Sequence, residues 1–254
     1  NDRKNRLTSN NLIIGSSFSL SNKSINNIYN NEFSEFKLKV ELAGNLTNLT
    51  SNLLNVSKDE FGKNKVLGLT FSQFIKTETG YIKHWPIGLN SIIAFRSFFG
   101  LAIPFGNSNN IPFSKSFFAG GSNDNRAWEV YRLGPGSSEA LSEFNEANMK
   151  IAMNIEYRFK ILGRIDGALF TDIGNIWNVF DDTKDSKRKF NSLKDLDEIA
   201  IGSGIGLRYN IGYFILRLDM GLKTYNPVLD SNERWLTDFN LKKAVFNIGL
   251  NYPF

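Results

Sequence analysis

The 254 residues carry 30 Lys and Arg against 25 Asp and Glu, a net charge of +5 dispersed along the chain without a basic block, so nothing argues for nucleic acid as a partner. Cysteine is absent and His84 is the single histidine, which removes disulfide frameworks and thiol chemistry and leaves zinc sites and His-based triads almost no material. Only 41% of residues are hydrophobic yet 13% are aromatic, the mixture of a transmembrane barrel, where lipid-facing positions alternate with polar lumen positions between aromatic girdles.

In chain order, residues 1–10 form a polar lead-in. Leu12–Leu20 sets Ile14, Phe18 and Leu20 among small residues and predicts a strand. The Asn/Ser-rich stretch 21–32 predicts a turn. Phe36–Leu42 alternates cleanly, with Phe36, Leu38, Val40 and Leu42 on one face and Lys37, Lys39 and Glu41 on the other. Charges are costly against lipid, so the second face points to a wet interior. Residues 43–63 read as a polar loop with a short helical turn at Leu49–Val56, Val66–Trp85 as one long strand, and Pro86–Asn90 as a tight turn. In the strand Ser91–Ile103, Ile93, Phe95, Phe99 and Leu101 face one way and Ala94, Arg96, Phe98 and Gly100 the other.

Residues 104–147 break this pattern. They contain PFSKSFFAGGSNDNRAWEVYRLGPGSS (Pro112–Ser138), glycine-dense and almost without alternation, which reads as a long ordered loop around Arg126, Ala127 and Trp128. Alternation then returns in Met149–Ile161 and its partner Ile165–Trp177. A charged loop, 179–197, leads to Glu198–Asn210, then Tyr213–Tyr225. The last predicted strand, Lys243–Phe254, puts Phe246, Ile248, Leu250, Tyr252 and Phe254 on one face. Tyr81, Trp85, Tyr209, Tyr213 and Tyr225 suit interfacial girdles, with His84 among them as a rim residue.

The total is about nine strands, near the 9 to 11 residues of a tilted membrane-spanning strand, joined alternately by short turns and long loops. The expected fold is all-β: the C-terminal portion of a transmembrane antiparallel β-barrel. An open sheet edge is not viable in lipid, so earlier strands are expected upstream of residue 1. The opening Asn1-Asp2-Arg3-Lys4 leads into no apolar core, as in a mature or truncated product. A soluble β-sandwich fits the charged faces and the last strand's five apolar positions poorly.

Several segments in order, GGSNDNRAW with LGPGSS, then NIEYRFKI, GALFTDIGNIW, GSGIGLRYNIGYFILRLDMG and NIGLNYPF, resemble the outer-membrane assembly-factor superfamily of BamA, TamA and the two-partner-secretion transporters. The triplet RAW, where many members have Arg-Gly-Phe, looks most like the TamA-like (TamL) branch of Bacteroidetes-type bacteria. The resemblance implies a barrel of about sixteen strands behind periplasmic POTRA domains, of which residues 1–254 would be the C-terminal nine or so, without POTRA domains or first strands. It implies an integral protein of a Gram-negative outer membrane, among outer-membrane lipid and lipopolysaccharide, that inserts or exports unfolded outer-membrane or secreted client proteins at a lateral seam. A TamB-like periplasmic partner belongs to the same picture; enzymatic activity, cofactors and metals do not.

The resemblance also places the long loop inside the lumen, its arginine paired with acidic groups on the wall. Carried over, Arg126 is the loop cation, and Glu156 and Asp172, both on polar faces by parity, are its partners. Gly120 and Gly121 would permit the sharp re-entry, Trp128 would be a lid or cation–π neighbour of Arg126, and Gly134, Pro135 and Gly136 complete the motif. FTDIGNIW reads as a polar lumen network with a kink at Gly174. The positions Phe246, Ile248, Leu250, Tyr252 and Phe254 resemble a C-terminal sorting signal, an amphipathic edge strand able to pair with an assembly machine. Two other readings stay open: a passive channel lined by Lys37, Lys39, Arg96, Arg158, Lys160, Arg208 and Arg217, and a structural subunit of an outer-membrane complex. A barrel-borne hydrolase would need an acid/base set for which His84 is meagre supply.

Overall fold

The structure, a computed structural model, describes residues 11–27, 32–53, 56–139 and 145–254. The lead-in 1–10 and the centre of the predicted turn at 28–31 lie outside them. Among the described residues, nine strands make one antiparallel sheet: β2 (Gly15–Asn27), β3 (Glu32–Ala43), β6 (Phe74–Pro86), β7 (Ser91–Pro104), β8 (Met149–Leu162), β9 (Ile165–Trp177), β10 (Ala200–Asn210), β11 (Ile215–Tyr225) and β12 (Val245–Leu250). They pair in sequence order, β2 at one edge and β12 at the other. A second, three-stranded sheet of β1 (Asn11–Leu12), β4 (Lys65–Val66) and β5 (Leu69–Phe71) sits at the long-loop end with helix α1 (Asn45–Leu53).

The alternation seen in the sequence is the reason for the sheet's two faces. Leu207, Leu218 and Ile248 are neighbours on β10, β11 and β12 and all point outward, exposed. On the other face Ala94, Ala102, Asn154, Glu156, Asp172 and Arg208 are buried. What buries them is the 105–148 connection. Its side chains or backbone bond to Glu41 on β3, Arg96 on β7, Lys150 on β8, Asp172 on β9, Arg217 on β11 and Asn247 on β12. One loop can touch one face of so many strands only if the sheet curls around it, as the wall of a barrel does.

Four expectations need correcting. The stretch 21–27 is not a turn but the second half of β2, because Ser21–Ile25 and, after a register shift, Asn27 continue the ladder opposite β3, which puts Ser21 and Lys23 on the polar face. Val66–Trp85 is not one strand: Leu67 (φ +53°) and Gly68 (φ +80°) form a tight turn between β4 and β5, and β6 starts only at Phe74. The helical element is α1, starting four residues earlier than the turn read at Leu49. The last strand stops at Leu250, since Asn251 adopts φ +62° and takes the chain out of the ladder. Tyr252 and Phe254 therefore do not share the outward face of Phe246, Ile248 and Leu250. His84, two residues from the short-turn end of β6, lies at the rim and faces inward, buried on the concave face with its ring 4.2 Å from that of Phe33.

Small polar residues such as Thr77, Thr79 and Ser97 also lie on the outward face, and two of its polar side chains pair with each other. Thr171 on β9 and Ser203 on β10 are register partners, and their hydroxyls lie 3.3 Å apart, each satisfying the other where lipid would not. A charge there has no such remedy. Leu218→Arg, near the middle of β11, is expected to cost about 2–4 kcal/mol in chemical unfolding from lipid vesicles, whereas Lys37→Gln on the concave face should leave the midpoint nearly unchanged.

Candidate functional site

The loop between β7 and β8 re-enters the concavity at Gly120 and Gly121, whose φ values of +93° and +102° are open to glycine and strained for other residues. A Cβ on Gly120 would also lie 2.2 Å from the Glu129 carbonyl oxygen, so the turn is too tight for a side chain. The Gly120 N–H donates to Asp124 Oδ2 at 2.8 Å and the Gly121 N–H to the Trp128 carbonyl at 2.8 Å, which closes residues 120–128 into a compact tip. That tip presents Arg126 to the wall.

Arg126 is 1% exposed. Its Nε and Nη2 donate to the two oxygens of Asp172 at 2.8 and 2.9 Å, a bidentate fork, and its backbone N–H donates to the same carboxylate at 3.0 Å. Nη1 donates to Glu156 Oε2 at 2.5 Å and lies 3.5 Å from Asp219 Oδ2. The guanidinium carbon sits 3.4 Å from the ring centre of Phe170. Sequence reasoning assigned the aromatic neighbour to Trp128; that ring instead meets Lys223, with Nζ 5.4 Å from its centre. Ala127 and Trp128 are both buried beside the arginine.

The structure thus brings Arg126, Glu156 and Asp172 together. It adds residues that sequence reasoning did not assign to the site. Arg208 Nη1 donates to Asp219 Oδ1 at 2.6 Å, and its Nη2 is 3.0 Å from Glu156 Oε1. Arg158 Nε donates to Glu156 Oε1 at 2.8 Å. Arg217 lies 3.2 Å from Asp219 Oδ2 and donates to the Ser122 carbonyl and Asn123 Oδ1 of the tip. Asn154 donates to Asp172 Oδ1 and to the Asp124 carbonyl. Asn247, on the edge strand β12, donates to the Arg126 carbonyl at 2.9 Å. The result is a fully buried network of four arginines and three carboxylates. Among the described residues no group of His, Asp and Glu is arranged to hold a metal; the cation among these carboxylates is guanidinium.

Room for the tip comes from glycine on the facing strands. Gly202, Gly204 and Gly206 point inward from β10, and Gly221 lies opposite Gly204 on β11. A Cβ at Gly202 would be 2.5 Å from Ala127 Cβ, and one at Gly221 would be 2.4 Å from the Arg126 carbonyl oxygen. The stretch G-S-G-I-G at 202–206 is the sequence signal that could have pointed to this space, since alternate positions on one face of the strand carry no side chain. The second half of the loop is pinned separately: Asn175 on β9 donates to the carbonyls of Gly136 and Glu198, and the Gly136 N–H donates to the Ile176 carbonyl, so Gly134, Pro135 and Gly136 lie against the top of β9 and away from Arg126.

Removing Arg126 leaves the buried Asp172 carboxylate without its cation and a hole between the tip and the wall, so Arg126→Ala is expected to destabilise the fold by about 3–5 kcal/mol, read as a fall in the temperature at which the barrel loses its compact gel mobility. Gly221→Val should expel the tip while leaving every charge in place, making residues 120–130 cleavable by added protease in a still-folded barrel.

The Omp85 superfamily domain matches residues 4–250 of this chain. Among solved structures, the chain superposes on the crystal structure of BamA from Haemophilus ducreyi lacking POTRA domains 1-3, with a TM-score of 0.51 and 12% sequence identity. The superposition covers 94% of this chain and 53% of that one, so the chain spans about half the length of the structure it resembles. At that identity the likeness concerns the fold, an antiparallel barrel wall. No curated protein sequence matches the chain. A domain match running through all nine strands of the main sheet and the arginine loop they enclose leaves one assignment: the chain belongs to the Omp85 superfamily.

Proposed function

We propose that this chain is the C-terminal wall of an outer-membrane factor that assembles or translocates other proteins, acting at a lateral seam of which β12 is one lip, with no bond chemistry. The observation that carries the reading is the hydrogen bond from Asn247 on β12 to the Arg126 carbonyl, which ties the in-folded loop to the edge strand itself. A strand pairing with its neighbour over only six residues offers unsatisfied backbone groups that an incoming strand can match, and the loop sets how firmly that lip is held. The RAW triplet favours the TamA-like (TamL) branch, with unfolded outer-membrane or secreted proteins as clients, outer-membrane lipid and lipopolysaccharide around it, and a TamB-like protein on the periplasmic side. Upstream first strands complete the barrel in this reading, with POTRA domains on its periplasmic side.

The passive-channel reading loses its main support. Arg158, Arg208 and Arg217 are engaged by Glu156 and Asp219, Lys37 by Glu35 and Lys160 by Asp166, and the loop tip occupies the concavity beside Arg96 and Arg217, leaving a cavity of about 550 Å³ next to Lys37 and Lys39. The deciding experiment reconstitutes the full-length protein in lipid vesicles and follows folding of an unfolded outer-membrane barrel by gel mobility. Folding faster than in empty vesicles, and slowed by Asn247→Ala in a barrel of unchanged heat stability, is the expected result. Client folding at the empty-vesicle rate, together with large steady conductance in planar bilayers, would sink the assembly role and revive the channel.

A further inference from the structure

Residues 251–254 leave the sheet for the lumen. The Asn251 N–H donates to the Ile215 carbonyl at 2.7 Å, and its side chain accepts from the Ile215 N–H at 3.3 Å, which closes the β11–β12 ladder and turns the chain inward. Tyr252 and Phe254 then reach Arg158 on β8, four places along the sheet from β12. The Arg158 guanidinium carbon is 4.1 Å from the Tyr252 ring centre and 5.6 Å from that of Phe254, and Nη2 donates to the main-chain oxygen of Phe254 at 3.1 Å. Pro253 and Phe254 face Ser19, Lys37 and Arg96 across a cavity of about 550 Å³.

Hydrocarbon does not account for this course. Two rings that would have met lipid by continuing the alternation of Phe246, Ile248 and Leu250 are instead seated on a buried cation, where desolvation strengthens cation–π attraction. Arg158 is oriented for them by Glu156, whose Oε1 accepts from Arg158 Nε while its Oε2 accepts from Arg126 Nη1.

We propose that Arg158 is a latch that holds segment 251–254 across the short-turn end of the lumen, and that Glu156 couples this latch to the arginine loop. The two cations are held by opposite oxygens of one carboxylate. Arg208 Nη2 also lies 3.0 Å from Glu156 Oε1, so loosening either cation lets Glu156 shift toward its remaining partners and away from the position that orients the other, and release of the segment and withdrawal of the loop favour each other. The inference stands apart from the assembly role and is tested without clients.

The 254 residues contain no cysteine, so a single Pro253→Cys thiol in a cysteine-free full-length protein reports the segment's accessibility. Its labelling by a membrane-impermeant maleimide is compared with that of Leu89→Cys, fully exposed on the short-turn side. Labelling should be slow in the parent, and Arg158→Gln should raise it about tenfold, as expected when a charge-assisted hydrogen bond limiting a local opening is lost. Arg126→Lys, remote from the segment, should raise it as well. Heat-dependent gel mobility identifies folded variants; if Arg158→Gln does not fold, Tyr252→Leu, which removes the nearer ring and leaves the network intact, carries the test with the same expected increase. A Pro253→Cys thiol as reactive as Leu89→Cys in the parent, or unchanged labelling in folded Arg158→Gln or Tyr252→Leu, overturns the latch. An increase with Arg158→Gln but none with Arg126→Lys overturns the coupling.

Discussion

A guanidinium enclosed by three carboxylates is the constraint on which the rest of this structure depends. Arg126 has no alternative to being charged, and taking an unpaired charge out of water costs several kcal/mol. The loop that carries it can enter the sheet only if the wall supplies acid at the right height. Asp172 supplies the fork, Glu156 the third strong contact, and Asp219 a longer one. Each comes from a different strand, so the loop acts as a gauge of register: β8, β9 and β11 must be paired as they are for one arginine to reach all three. A slip by one residue in any of them would turn its carboxylate to the outward face.

The same network explains why the wall carries so many arginines of its own. Three acids clustered around one cation would leave surplus negative charge in a confined space. Arg158, Arg208 and Arg217 reverse the balance, and each shares an acid with Arg126. Buried ion networks of this kind are weak contributors to stability compared with apolar packing of the same volume, but they tolerate few arrangements. The network specifies where the loop sits. The packing that accompanies it is comparatively modest: Ala127 against Gly202, Trp128 near Lys223, Phe170 under the guanidinium.

How much of this could be read from residues alone follows from the geometry of strands. Parity along a strand is a two-residue period, so the faces of β3, β7 and β8 were legible, and Glu156 and Asp172 could be put on the same face as a loop arginine. Height across strands is not encoded in parity. Asp219, Arg208 and Arg217 were visible as polar-face residues, yet nothing local told that Asp219 stands level with Gly206 and Asn247, or that Arg217 reaches Ser122. The inward glycines of β10 were the available signal, since a strand that carries no side chain at three successive inward positions leaves space for something else. Alternation misled where it continued past the ladder. Tyr252 and Phe254 keep the apolar period of β12, but Asn251 breaks the backbone, and period without hydrogen bonding does not fix a face. It misled in the other sense at Ser21 and Lys23, polar residues that belong to a strand because their partners on β3 do.

The edge at β12 shows what the arginine loop accomplishes beyond filling space. β11 has eleven residues and β12 only six, so the upper part of β11 lacks a strand on that side. Residues 234–236 of the last loop take that position: the Leu236 N–H donates to the Thr224 carbonyl, the Asn226 N–H to the Arg234 carbonyl, and Tyr225 stacks edge-on with Trp235. Below them, β12 is held laterally by its six-residue ladder and from inside by Asn247 on the Arg126 carbonyl, with Gly249 close-packed on Arg217, where a Cβ would lie 2.5 Å from Nη2. Its outward side chains meet only hydrocarbon, which holds a strand at the membrane but specifies no register. The inner contacts therefore carry much of what fixes β12 in place, and both run to the arginine network. Loop and edge strand cannot be moved independently: shifting the tip withdraws the acceptor from Asn247 and the oxygens that fix Arg217, while displacing β12 opens the network from its side.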